Sequence, residues 1–315
     1  MSLSDPLVSV IVLTYNSQDY VIETLESIKS QTYNNVELII SDDGSGDKTV
    51  SVCRDWLCEN KHRFADYKVI TVENNSGIPA NCNRGIEVAN GTWIKIIAGD
   101  DLLTPDCIYR NLKYSTSDMT RKIVISEMYA FQDGTKPMRI VAHRKPSGDV
   151  FSTHNTPDDQ NKYLVKTMYF GNSPSLFYSK EVFDKVKFDE SIPLMEDYPF
   201  AVLSTAAGFK FNYLPAVTVF YRVREGSGYF KNDNQIFGNF YKTKFQFDKK
   251  YRHSDLDFIR LNDEIFRYKL KLFFDKNDWN KNKPIYRIVF KALNALNPFR
   301  YLHYLKRKMA QLLKR

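Results

Sequence analysis

Three apolar runs in this chain each end on polar residues able to bind a ligand. VSVIVLTYN closes on Tyr15 and Asn16, VELIISDDGS reaches Asp42 and Asp43, and TWIKIIAGDD ends on Asp100 and Asp101. Carboxylates gathered at one place repel each other unless they grip a cation or accept hydrogen bonds from a ligand. A fourth acidic group, Glu196 and Asp197, stands in PLMEDYPF ahead of an apolar segment that ends at Gly208. The chemistry on offer is recognition of a polar ligand, with a divalent cation as a candidate helper.

The elements that carry these residues set where they meet. Short Val- and Ile-rich runs with little alternation predict strands buried on both faces, as in a parallel sheet. Strands are expected over 7–15, 36–41, 67–72 and 92–98. Helices are expected over 17–31 with Ser17 as N-cap, over 48–59, and from Pro79 to Ala89. Such alternation specifies a parallel sheet flanked by helices. Ligands of open parallel sheets bind beyond the carboxyl ends of the strands, where all three clusters would sit. Each cluster also has a plainer reading. DDGSGD is a turn that Asp and Gly favour unaided, and acidic residues at 100–101 and 196–197 suit helix N-termini.

Further strands are expected near 122–131 and 211–221. The polar stretch 145–160 has no apolar periodicity and predicts a mobile loop over the site. From about 230 the composition turns to aromatic-rich helices. Two amphipathic segments follow, split at Asn297-Pro298.

The chain is 315 residues long, 43% apolar and 14% aromatic, which excludes extensive disorder. No run approaches the roughly 18–20 apolar residues that span a bilayer. A secretory leader is not expected, and the four cysteines lack zinc-ligand spacing, so a cytoplasmic protein with reduced thiols is predicted. The net charge of +8 is uneven: residues 281–315 hold ten Lys or Arg and no Asp or Glu, leaving 35 basic and 37 acidic groups before them. That asymmetry points to a tail that meets an anionic surface, with packing on the protein or on a second copy as the alternative. The near-neutral body argues against nucleic acid as the main ligand. The five histidines match no catalytic spacing and are read as surface or packing residues.

PLVSVIVLTYN, ELIISDDGSGDKT, GIPANCNRGIEVANGTWI and AGDDLLTPD, in this order over residues 6–110, resemble the nucleotide-sugar-binding half of an inverting family 2 glycosyltransferase. The likeness continues more weakly through LMEDYPF and YRVREGS. It implies a GT-A, Rossmann-like α/β fold, mostly parallel, with an α-helical C-terminal extension. The implied divisions are 1–110 for the donor half, 111–228 for the acceptor and base half, and 229–315 for the extension.

The resemblance also implies roles. Asp43 recognises the nucleotide base, Tyr15 stacks on it, and Asn16 orders the turn. Asp100 and Asp101 form a DxD-type pair for Mn2+ or Mg2+, Asp100 also touching the donor. Ala98 stands where the commonest form has another Asp. Asp197 is the general base with Glu196 second. From their own chemistry, Arg222 and Arg224 offer guanidinium forks suited to phosphate, with surface pairing to Glu225 as the equal alternative. Cys82 replaces the family's usual Arg, with Arg84 two positions on. The donor would be a nucleoside diphosphate sugar, UDP being the expected nucleotide. The acceptor would be a glycan, lipid-linked if the tail lies on the inner face of the cytoplasmic membrane, in surface polysaccharide synthesis. A nucleotidyltransferase would need a glycine-rich loop after the first strand, which TYNSQDY lacks. A non-catalytic sugar-nucleotide binder, or one that uses the basic tail, is the alternative from another class.

Overall fold

The structure is a computed structural model that describes residues 5–135, 138–146, 151, 155–167, 173–224, 234–238 and 240–312. The chain divides into two compact units, Met1–Arg224 and Glu225–Arg315.

In the first unit β1 (Val8–Thr14), β2 (Val36–Asp42), β3 (Asp66–Thr71) and β4 (Trp93–Ala98) pair in parallel in the order β3-β2-β1-β4. The sheet then becomes mixed. Short β8 (Leu176–Ser179) lies antiparallel between β4 and the first residues of β6 (Ile123–Gln132). β9 (Phe211–Val223) runs parallel to β6, and its far edge takes the two-residue β5 (Leu102–Leu103). β7 (Arg139–Arg144) pairs with the second half of β6.

Alternation along β1 explains the layers. Val8, Val10 and Val12 join one buried cluster with Leu25 and Ile28 of α1 (Val21–Lys29), Trp56 of α2 (Thr49–Asn60) and Leu112 of α4 (Cys107–Thr116). Ile11 points to the opposite face, where α3 (Ile78–Glu87) crosses. Gly85 makes that crossing close, because a Cβ there would lie 2.4 Å from Ile11 Cγ2. A second, aromatic cluster joins Tyr178 of β8, Phe183, Phe188 and Phe200. Its Phe188 and Phe200 rings stack with centroids 4.4 Å apart, which fixes α6 (Asp197–Ala206). Cys53, Cys82 and Cys107 are buried, Cys58 is exposed, and all four are free thiols.

Two local expectations fail. The first helix begins at Val21, not Ser17, and ends at Lys29. The Ser17 carbonyl accepts from the N–H groups of Tyr20 and Val21, while its side chain bonds the Tyr15 carbonyl, so it caps nothing. The stretch 145–160 is not all loop. Positions 147–150 and 152–154 lie outside the described residues, but α5 starts at Pro157 and runs to Thr167. Thr156 Oγ1 accepts from Asp159 N (3.1 Å) and donates to its carboxylate (2.7 Å), and Pro157 suits a first helical position.

The second unit is helical: α7 (Phe240–Tyr251), α8 (Phe258–Lys276), α9 (Pro284–Ala295) and α10 (Pro298–Leu312). Its interior is aromatic, with Phe245 and Tyr268 stacked at 3.6 Å and Phe274 edge-on to Phe290. The break at Asn297 is held from within: its amide donates to Asp263 Oδ1 (2.6 Å) and accepts from Phe299 N (3.1 Å). Among the described residues no helix is long and apolar enough to cross a membrane.

Candidate active site

The register aligns Thr14 with Asp42 and Leu13 with Ala98, so Tyr15, Asp43 and Asp100 leave the same carboxyl edge of three adjacent strands. The β1 turn is shaped by Asn16, a non-glycine residue at φ +50°, whose Oδ1 accepts from Gly46 N (2.9 Å) and whose N–H donates to Ser45 Oγ (2.8 Å). Asn tolerates this backbone because its short polar side chain finds local partners. Tyr15 is left 51% exposed at this edge.

The two carboxylates after β2 differ. Asp42 turns inward to Thr14 Oγ1 (2.8 Å) and Ser45, as the plainer turn reading expects. Asp43 accepts from Ser76 N and Oγ, Gly77 N (2.8 Å) and Arg84 Nη2 (2.5 Å). Burial opposes its charge most strongly, yet the bonds from Ser76, Arg84 and Gly77 prevail and hold its carboxyl below the usual range. Arg84 thus puts a guanidinium beside Asp43, while Cys82 is buried in α3. Gly77 sits at φ +94° with Pro193 against it, where a Cβ would come within 2.7 Å.

The Asp100-Asp101 turn is held from both sides. Thr24 Oγ1 of α1 donates to Asp101 O (2.8 Å), and Gln31 bridges Thr104 O and Ile108 N. From β9, Arg222 N donates to Asp101 Oδ1 (2.8 Å) and Arg222 Nε to Asp100 O (2.7 Å). The remaining Arg222 nitrogens pair with Asp133 and Glu23, and its plane lies against Tyr20 and Phe131. Arg222 is therefore a buried brace. Arg224 is the more exposed arginine and pairs with Asp100 Oδ2 at 2.5 Å. Burial raises both carboxyls: Asp100 is eased back by Arg224 and Arg222, and buried Asp101 is raised further by Asp100 itself. Adjacent carboxylates are the hard oxygen donors that a divalent cation takes up while completing its shell from a ligand, although Asp101 is buried and its Oδ1 already accepts from Arg222 N. Among the described residues no group of three His, Cys, Asp or Glu gathers to hold a metal alone.

Glu196 and Asp197 open α6. Burial raises both, with Ser173 bonded to Glu196 in partial compensation. Burial and then the charge of Glu196 push Asp197 up to about 7. Their loop is tied to α3 by Ile78 N donating to Pro193 O (3.1 Å) and by Asn83 bonding Phe188 and Glu190.

Three buried charged residues escape sequence reasoning. Fully buried Lys95 on β4 donates to the carbonyls of Pro174 and Leu176, fixing the segment that carries Ser173. Glu127 of β6 gathers Tyr213 and His143, the latter at 2.6 Å, so the surface residue His143 is also a hydrogen-bond partner. Glu37, buried at the opposite end of the sheet, takes Lys68 Nζ (2.6 Å) and Asn90 N (2.8 Å). Only a charged letter inside an apolar strand, as in VELII and WIKII, could have flagged Glu37 and Lys95.

Comparison with known proteins matches this frame. The putative glycosyltransferase EpsH of Bacillus subtilis is 30% identical over 178 residues, 56% of this chain; the chain spans about half, 47%, of that relative. The S. aureus TarS 1–349 structure in complex with UDP-GlcNAc shares the fold at TM-score 0.59 and 18% identity, over 91% of this chain and 79% of that one. So does the mannosyltransferase PcManGT from Pyrobaculum calidifontis in complex with GDP-Man and Mn2+, at TM-score 0.54 and 18% identity, over 94% and 72%. The family model for glycosyl transferase family 2 matches residues 9–186, more than half of the sequence, and the chain belongs to that family.

Proposed function

We propose that this glycosyltransferase moves a sugar from a nucleoside diphosphate sugar, UDP being the expected nucleotide, to a hydroxyl of a lipid-linked glycan, with inversion at the anomeric carbon. The observation that carries the reading is the exit of Tyr15, Asp43 and the Asp100-Asp101 turn from one edge of three adjacent parallel strands. The UDP-GlcNAc and GDP-Man complexes of the two structural neighbours support a nucleotide-sugar donor.

Tyr15 stacks on the base. Asp43, held ionised, accepts the ring N–H, with Arg84 beside it to meet a ring carbonyl. Asp100 and Asp101 would hold Mn2+ or Mg2+, which when bound neutralises charge on the diphosphate. Arg224 leaves Asp100 and turns its guanidinium to the phosphates, while Arg222 keeps the turn in place.

On the acceptor side Asp197 takes the proton of the attacking hydroxyl. A carboxyl near 7 is poised for that work at neutral pH. The new bond forms from acceptor oxygen to the anomeric carbon as the bond to the diphosphate oxygen breaks. The proton ends on Asp197 and the electron pair on the departing nucleoside diphosphate. The exposed apolar and basic residues of α9 and α10 support a seat on an anionic membrane surface, where a lipid-linked acceptor in polysaccharide synthesis would be presented.

The test is a panel of α-linked UDP, GDP and dTDP sugars with Mn2+ and water as acceptor, followed by proton NMR. Release of β-sugar from one nucleotide series is expected. Release of α-sugar would contradict inversion, and no turnover across the panel would contradict the donor assignment.

A further inference from the structure

In the helical unit α8, α9 and α10 border a cleft of about 600 Å3, lined in part by Asp263, Arg267, Arg300, His303, Tyr304 and Lys308. Its one carboxylate is already matched, since Asp263 pairs with Arg267 and accepts from buried Asn297. Lys308 Nζ lies 5.3 Å from the centre of the Tyr304 ring. No acidic residue occurs anywhere in 281–315, so Arg300, His303 and Lys308 present their donors without a carboxylate from their own helices. The same two helices and the turn between them expose Ile285, Ile288, Leu296, Leu302, Leu305 and Met309.

We propose that this cleft binds the phosphate headgroup of an anionic membrane lipid, with the neighbouring apolar side chains entering the acyl boundary. The inference deepens the membrane reading above and depends on it. Arginine supplies the planar fork that a phosphate takes up, lysine a point charge, and the imidazole a further donor. A diffuse basic face would attract anionic lipid equally wherever the charge sat. A built cleft makes position matter.

The experiment is cosedimentation of the full chain with vesicles of phosphatidylglycerol in phosphatidylcholine, and with phosphatidylcholine alone. Arg300→Gln with Lys308→Gln is compared with Lys283→Gln with Lys291→Gln, which removes the same charge from outside the cleft. Binding to the anionic vesicles is expected, with the cleft pair losing at least tenfold more partitioning than the outside pair. Inorganic phosphate should compete against wild type and not against the cleft pair. Equal losses in the two pairs would overturn the cleft and leave membrane association standing. No binding to anionic vesicles would overturn both, and phosphate binding without vesicle binding would overturn the lipid assignment.

Discussion

The side-chain amide of Asn83 grips the backbone of Phe188, 105 residues away, donating to its carbonyl and accepting from its N–H, each at 3.0 Å. Asn83 and Arg84 are neighbours on α3, so one helix faces Asp43 with one residue and holds the loop before Glu196 and Asp197 with the next. Replacing Asn83 by Ala leaves both Phe188 groups without this partner. A loss of about 2–4 kcal/mol in urea unfolding is expected from two such bonds, with kcat falling and donor affinity kept. An unchanged kcat would show that the loop does not position the base.

Arg84→Met should act on the neighbouring contact of the same helix. Asp43 loses its arginine partner, so donor KM should rise about tenfold while kcat stays within a factor of two. Steady-state kinetics with saturating Mn2+ separates the two quantities.

The carboxyl of Asp197, pushed up to about 7, fixes a pH dependence. Only the ionised form accepts a proton, so kcat should rise through about pH 7 to a plateau. Asp197→Asn should abolish transfer and spare donor binding. Stability should move the other way. A carboxyl raised on folding holds its proton in the native state after the unfolded chain has lost it, so its ionisation costs stability as pH rises from about 4 to about 7. Asp197→Asn should therefore be the more stable protein by about 1–3 kcal/mol above pH 7, with the gain gone below about pH 4. Chemical unfolding at both ends of that range checks the sign.

How much of this was legible in sequence depends on how local the cause is. The strands β1, β2 and β4 are continuous apolar runs, and the polar residues that end them mark the crevice directly. β8 is only LFYS, and antiparallel partners on β4 and β6 that are distant in sequence make it a strand. Ser17 has the right chemistry for a cap but its N–H is drawn to Thr49 Oγ1, a partner 32 residues on. YRVRE offers two arginines of equal promise. Their division of labour depends on Glu23, Asp133 and Tyr20, which only the folded chain brings to Arg222. The motif comparison names Arg84 two positions from Cys82, but only the fold brings it to Asp43, 41 residues away.

Arg224 competes with any cation for Asp100. Arg224→Ala should tighten Mn2+ binding several-fold in the absence of nucleotide and weaken nucleoside diphosphate binding about tenfold. Calorimetric titrations of metal alone, and of nucleotide at saturating metal, read the two effects separately.

The central claim, a nucleoside diphosphate site built by Tyr15, Asp43 and the Asp100-Asp101 turn, is tested most directly by thermal unfolding with UDP, GDP, dTDP and CDP, each with and without Mn2+. A ligand at 100 times its dissociation constant adds about 2.7 kcal/mol, which should raise Tm by roughly 5–10 °C in a unit of this size. The predicted result is such a shift with one nucleotide, dependent on Mn2+ and lost in Asp100→Ala. No shift with any of the four, with or without metal, would contradict it.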